Sequence, residues 1–128
     1  MVDSHQTFSE VSRAVIGSAI EVHKHLGPGL LESTYQRCLE QELWERQIPF
    51  LSQVELPVFY KNVELACGYR IDLLVQEELI VEIKSVDTLH PIYAAQVLTY
   101  MKLSGIGTGL LINFNEILLK NGLRRFVM

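Results

Sequence analysis

Asp72, the tripeptide Glu82-Ile83-Lys84, and the pair Gln96 and Tyr100 are the residues of this 128-residue chain whose types and spacing could do chemistry. Two carboxylates, a lysine and an amide donor can hold a divalent cation against a phosphodiester and ready a water for attack. Tyr69–Val75 and Leu79–Lys84 both read as strands, rich in branched side chains and separated by the polar Gln76-Glu77-Glu78. With those three residues as a hairpin loop, Val75 faces Leu79, Leu74 faces Ile80, and Asp72 lands opposite Glu82. The two-residue repeat then puts Lys84 on the face of Glu82 and sends Ile71, Leu73, Val81 and Ile83 to the other. Strands with apolar residues on both faces are covered on both, and bare carboxylates there are costly unless a cation or donors compensate. Two facing carboxylates also repel, which raises the pKa of one unless a metal sits between them. A small set of oxygen ligands suits magnesium or manganese better than zinc. The Ile83 carbonyl could face the same ion. The alternative is a cross-strand salt-bridge cluster of Asp72, Glu82 and Lys84, and the spacing alone does not separate the two.

These residues must be positioned by the elements around them. His90-Pro91 reads as a helix start and Gly105 as its stop, which puts Tyr93, Gln96, Tyr100 and Leu103 on one stripe beside Ala94, Val97, Leu98 and Met101. Gln96 and Tyr100 read either as a half-buried polar pair on a packed helix or, following the Lys84 strand, as groups that reach the carboxylates. Upstream, Thr7-Phe8-Ser9-Glu10 is a capping box, and Phe8, Val11, Val15, Ala19, Val22 and Leu26 make an apolar stripe that ends at Gly27-Pro28-Gly29. A second helix runs to about Gln47, with Leu31, Tyr35, Leu39 and Leu43 inward. Glu32 lies in its first turn, where a glutamate is favoured by the helix dipole.

Strands follow at Val54–Tyr60 and Val63–Cys67, joined at Lys61-Asn62, with Pro57 marking an edge or a bulge. Gly107–Phe114 reads as a buried strand, and Leu118–Val127 contains an Asn-Gly turn signal. This layout gives an α/β core with a central mixed sheet.

The order Asp72, Glu82-x-Lys84, Gln96-x-x-x-Tyr100 resembles the PD-(D/E)XK nuclease superfamily in its Q-x-x-x-Y branch. Gly29-Leu30-Leu31-Glu32-Ser33-Thr34-Tyr35 matches the signature of the GxxExxY proteins, a small prokaryotic group assigned to that superfamily. The words Glu21–Gly29, Tyr69–Val75 and Leu110–Phe114 also fit, so the resemblance covers about Val11 to Phe114. It implies a restriction-endonuclease-like fold, with Glu32 as the first acidic position, Asp72 as the second, and Glu82 and Lys84 as the third motif. Relatives often carry histidine at the position of Tyr93, where this chain departs. The activity implied is metal-dependent phosphodiester hydrolysis. Asp72 and Glu82 would hold magnesium or manganese, and Glu32 would be a direct or water-mediated ligand. Lys84 would orient water or offset phosphate charge, Gln96 would donate to an oxygen, and Tyr100 would brace the site.

Length and a 48% hydrophobic content indicate one domain over residues 1–128, with no linker or repeat. No apolar stretch approaches the ~20 residues needed to span a bilayer, so a soluble cytoplasmic protein is expected. Cys38 and Cys67 lack a paired motif and read as buried thiols, His23 and His25 as surface or packing groups, and Trp44 as core or interface. The 11 Lys and Arg against 15 Asp and Glu leave a net charge of −4, which argues for modest affinity toward a long duplex. The expected partner is nucleic acid, DNA ahead of RNA, without a membrane. A homo-oligomer, a protein partner, or a catalytically silent binding module of the same fold remains open.

Overall fold

The computed structural model describes residues 10–128. The chain runs α1 (Val11–Leu26), α2 (Glu32–Glu45), β1 (Phe50–Tyr60), β2 (Val63–Val75), β3 (Leu79–Lys84), α3 (Pro91–Ser104), β4 (Thr108–Asn113), a 3-10 turn (Leu119–Gly122) and β5 (Leu123–Val127). The proposed capping box falls largely outside the described residues.

The strands form one five-stranded sheet in the order β1-β2-β3-β4-β5. Only β3 and β4 run parallel; the other neighbours are antiparallel. A parallel pair needs a long crossover, and α3 supplies it. Helices α1 and α2 cover one sheet face through Val15, Ala19, Tyr35, Leu39 and Leu43 against Leu73, Val81, Ile83, Leu110 and Ile112. Helix α3 covers the other through Val97, Tyr100 and Met101 against Ile71, Leu74, Ile80 and Leu111. The result is the restriction-endonuclease-like α/β arrangement, a mixed sheet flanked by helices.

Local chemistry sets the boundaries. His90 caps α3 by accepting from the Ile92 N–H at Nδ1 (3.1 Å), Pro91 opens the helix, and Gly105 closes it with a left-handed φ of 76°. Lys61 and Asn62 both adopt positive φ, making the tight β1–β2 turn. Pro57 sits at the register shift between Leu56 and Val58 on the edge strand β1, where its missing N–H costs least.

Several side chains lie elsewhere than expected. Leu31 is the residue before α2 rather than part of its inward stripe, and it is 73% exposed. Trp44 is 70% exposed, which rules out the core alternative and leaves the interface one, and Cys67 is exposed rather than buried. The two segments Val63–Cys67 and Tyr69–Val75 are one 13-residue strand, and β1 begins at Phe50. Ile71 packs with the α3 cluster while Leu73 packs with the α1/α2 cluster, so the two are on opposite faces. The change of face falls at Asp72, opposite Gln53 on β1, which lies between the pairs Ser52↔Leu73 and Val54↔Ile71 and has a left-handed φ of 52°.

The Asn121-Gly122 signal belongs to the 3-10 turn, not to a two-residue hairpin loop. Gly122 is there for close approach, because a Cβ would overlap the carbonyl oxygen of Asn113. Gly122→Ala is therefore expected to destabilise the fold by about 1–3 kcal/mol. Urea denaturation compared with a surface control such as Lys120→Ala checks this, and an unchanged midpoint would contradict the packing argument.

Candidate functional site

The site grows from the β2–β3 hairpin. Its register pairs Val75 with Leu79, Leu74 with Ile80 and Leu73 with Val81, and one further step brings Asp72 opposite Glu82. There the side chains replace the ladder. The Ile83 N–H donates to Asp72 Oδ2 (2.8 Å), and the Asp72 N–H donates to Glu82 Oε1 (3.1 Å). Each carboxylate thus accepts a backbone donor from the other strand, and each is fixed in place by it.

Glu82 shares the face of Ile80, toward α3, and is only 5% exposed. Burial, reinforced by the charge of Asp72, pushes its pKa up to about 8. Burial also raises Asp72, opposed by the Ile83 N–H, Lys84 and Gln53. The pair therefore retains a proton near neutral pH when no cation compensates it.

Lys84 lies on the same face, and no ion pair within 4.0 Å joins it to either carboxylate among the described residues. Its Nζ lies 4.7 Å from the centroid of the Tyr93 ring, a cation–π contact that holds the ammonium beside the carboxylates without neutralising them. The simple salt-bridge cluster is thereby set aside. Tyr100, two helical turns beyond Tyr93, is buried, and its phenol is pushed up by burial and then by the charges of Glu82, Asp72 and Tyr69. Gln96 lies between them, half-buried, and its amide makes no hydrogen bond among the described residues.

Glu32 is positioned by its neighbours in the Gly29-to-Tyr35 stretch. The Tyr35 hydroxyl donates to the Gly27 carbonyl and accepts from the Leu30 N–H (3.2 Å), while its ring stacks on Phe114 at 4.5 Å. Gly29 turns the chain with a φ of 96°. This buried clamp brings the start of α2 to the end of β3, where the Ser85 N–H donates to Glu32 Oε1 (3.3 Å) and the Ser85 hydroxyl donates to the Leu30 carbonyl (2.6 Å). Glu32 thus stands at the C-terminal end of β3, one residue past Lys84. Among the described residues no group of three or more His, Cys, Asp or Glu side chains is arranged to hold a metal, so Glu32 does not join Asp72 and Glu82 in one such cluster.

Three polar residues that the sequence left unassigned support the site. Gln36 on α2 donates to the Asp72 carbonyl (3.1 Å) and accepts at Oε1 from Gln53 (3.0 Å), which also reaches Asp72 Oδ1 (3.5 Å). Asn113, fully buried at the end of β4, accepts from the Val86 N–H (3.0 Å) and donates to the Val86 carbonyl (2.9 Å), clamping the segment after Lys84. Its signal in the sequence was a lone amide within an apolar run.

The donor chemistry of the pair fits a hard divalent cation. Asp72 Oδ1 and Glu82 Oε2 take no backbone N–H, both groups are oxygen donors, and a cation would relieve the burial of their charge. No helix among the described residues is long and apolar enough to cross a membrane. The family model of the PD-(D/E)XK nuclease superfamily matches residues 9–126. No curated protein and no solved structure matches the chain.

Both acidic pKa values are raised in the fold, so the native protein binds more protons than the unfolded chain between about pH 4.5 and 8. Stability of the cation-free protein must then fall as pH rises through that window. Melting in a chelator should show Tm dropping by at least roughly 4 °C across it, and Glu82→Gln should flatten most of the slope. A wild-type Tm that is level or rising would contradict a buried, protonated pair.

Proposed function

The chain belongs to the PD-(D/E)XK nuclease superfamily, and from that premise we propose that it hydrolyses phosphodiester bonds in nucleic acid, with DNA the substrate ahead of RNA and magnesium or manganese as the cofactor. The observation that carries the reading is the backbone-locked pair of Asp72 and Glu82 with the unneutralised Lys84 on the same face. A purely structural cluster would place the ammonium on a carboxylate; here it is kept available.

Asp72 and Glu82 would hold the cation, the Ile83 carbonyl would add a backbone oxygen, and Glu32 would act through water from the end of β3. When bound, the cation polarises the phosphoryl oxygen and lowers the pKa of water. The chain's own residues supply the rest. Lys84 offsets charge that grows on the phosphate or orients the attacking water, and its seat on Tyr93 fixes its position in advance. Gln96 offers an uncommitted amide to a substrate oxygen, and Tyr100 walls the site against water. A net charge of −4 limits non-specific grip on phosphates, so affinity for long duplex is modest.

Purified protein should cleave oligonucleotides only with added magnesium or manganese. Lys84→Ala should lower the rate on the order of a hundredfold or more, with cation binding, read by the Tm shift, largely kept. Asp72→Asn should abolish both. Gln96→Ala should cost less than Lys84→Ala, because an amide orients what the cation already polarises. Turnover that survives in Lys84→Ala would indicate a contaminant. Nucleic-acid binding without turnover in any preparation would instead favour a silent module of this fold.

A further inference from the structure

Beside the carboxylate pair, between α3 and the far halves of β1 and β2, lies a cleft of about 420 Å³ that the hydrolytic reading touches only at Gln96 and Tyr100. Its sheet side is formed by Val58 and Tyr69, and its helix side includes Ile92, Gln96, Thr99 and Tyr100. The volume falls within the roughly 300–1,000 Å³ of small-ligand sites. The walls are chiefly apolar and aromatic. The Tyr69 and Tyr100 rings meet at 6.2 Å with an interplanar angle of 57°, so Tyr100 forms a buried floor while Tyr69, 45% exposed, forms an open wall. Ile92 is also exposed, so apolar surface faces solvent at the cleft mouth. The Gln96 amide and Thr99 hydroxyl make no hydrogen bond among the described residues, leaving polar groups half-buried in the wall and exposed at the rim of an otherwise apolar slot.

The cleft is continuous with the site through one helix stripe. Tyr93 carries the Lys84 ammonium, Gln96 follows one turn later, and Tyr100 follows one turn after that, packed in the same cluster as Ile71 and Ile80. A strand whose phosphate lay at Lys84 would therefore have a neighbouring nucleotide at the cleft. A flat ring with polar edges matches a slot with an aromatic wall and free amide and hydroxyl groups. A base offers its face only when it is unpaired.

We propose that the cleft between Tyr69 and α3 is a stacking subsite for an unpaired base, and that the substrate class of this protein is a single-stranded segment or end rather than continuous duplex. This rests on the nucleic-acid reading of the adjacent carboxylate site. It also suits the acidic chain, since stacking supplies affinity that phosphate contacts on this protein do not.

The test is binding in a chelator, so that no chemistry is required. Single-stranded oligonucleotides carrying one 2-aminopurine at successive positions are titrated with wild type, Tyr69→Ala, Tyr69→Phe and Thr99→Trp, with the matched duplex in parallel. Wild type should quench the probe at one position and bind the single strand more tightly than the duplex. Tyr69→Ala should weaken single-strand binding about tenfold, Tyr69→Phe should restore it, and Thr99→Trp, which fills the slot from an exposed helix position, should remove the quench.

Single-strand affinity and quench unchanged in both Tyr69→Ala and Thr99→Trp would overturn the subsite while leaving cation-dependent cleavage standing. Tighter duplex binding with no quench would overturn it in the same way. Position-specific quenching that Tyr69→Ala weakens, without turnover under any cation, would uphold the subsite and sink the hydrolytic reading. Neither binding nor cleavage would sink both.

Discussion

A buried and a half-buried carboxylate on neighbouring strands each accept a backbone N–H from the other strand, and this exchange governs what the rest of the molecule must do. It continues the β2–β3 pairing past the point where the main-chain ladder stops, at the cost of holding like charges close in a dry environment. Every nearby element either lowers that cost or preserves it for use. The Ile83 and Asp72 N–H groups stabilise the ionised forms, Gln36 and Gln53 brace Asp72, and Tyr93 keeps Lys84 within range of both groups but bonded to neither. The lysine leaves that charge only partly balanced, and on the proposed reading a cation would supply the remainder.

The surrounding fold reads as support for that hairpin. Asn113 ties the segment after Lys84 to β4, the Tyr35 clamp delivers Glu32 to Ser85, and α3 presents Tyr93, Gln96 and Tyr100 from above. Each is a long-range contact between elements of different types, so the end of β3 is fixed from the α2, β4 and α3 sides together. Preorganisation of this kind keeps charged groups from reorienting when charge develops nearby.

Much of this was legible in the sequence. The length of the Gln76-Glu77-Glu78 loop and the apolar runs beside it fixed the register, hence the meeting of Asp72 with Glu82. His90-Pro91 and Gly105 bounded α3 because a cap, a proline and a left-handed glycine each act locally. What escaped depended on partners distant in the chain. Ile71 changes face beside Asp72, opposite a left-handed Gln53 on another strand, and no alternation within Tyr69–Val75 encodes that break. Leu31 looks like a core leucine by spacing, yet the Gly27–Gly29 turn starts the helix one residue after it. Gln36 and Asn113 gain meaning only from the carbonyls and N–H groups that the fold brings to them. Glu32 drew its assignment from motif resemblance, and its tie to Ser85 is a contact no helical period encodes.

The left-handed turn at Gln53 has a wider consequence. It falls beside Asp72, where the deeply buried half of β2 gives way to a half whose first eight residues, counted from the strand start, are exposed. The sheet thus has a buried root and an arm whose β2 half faces solvent. Substitutions at the exposed positions of that arm change what the molecule presents to solvent, while the two N–H bonds that hold the carboxylates lie at its base.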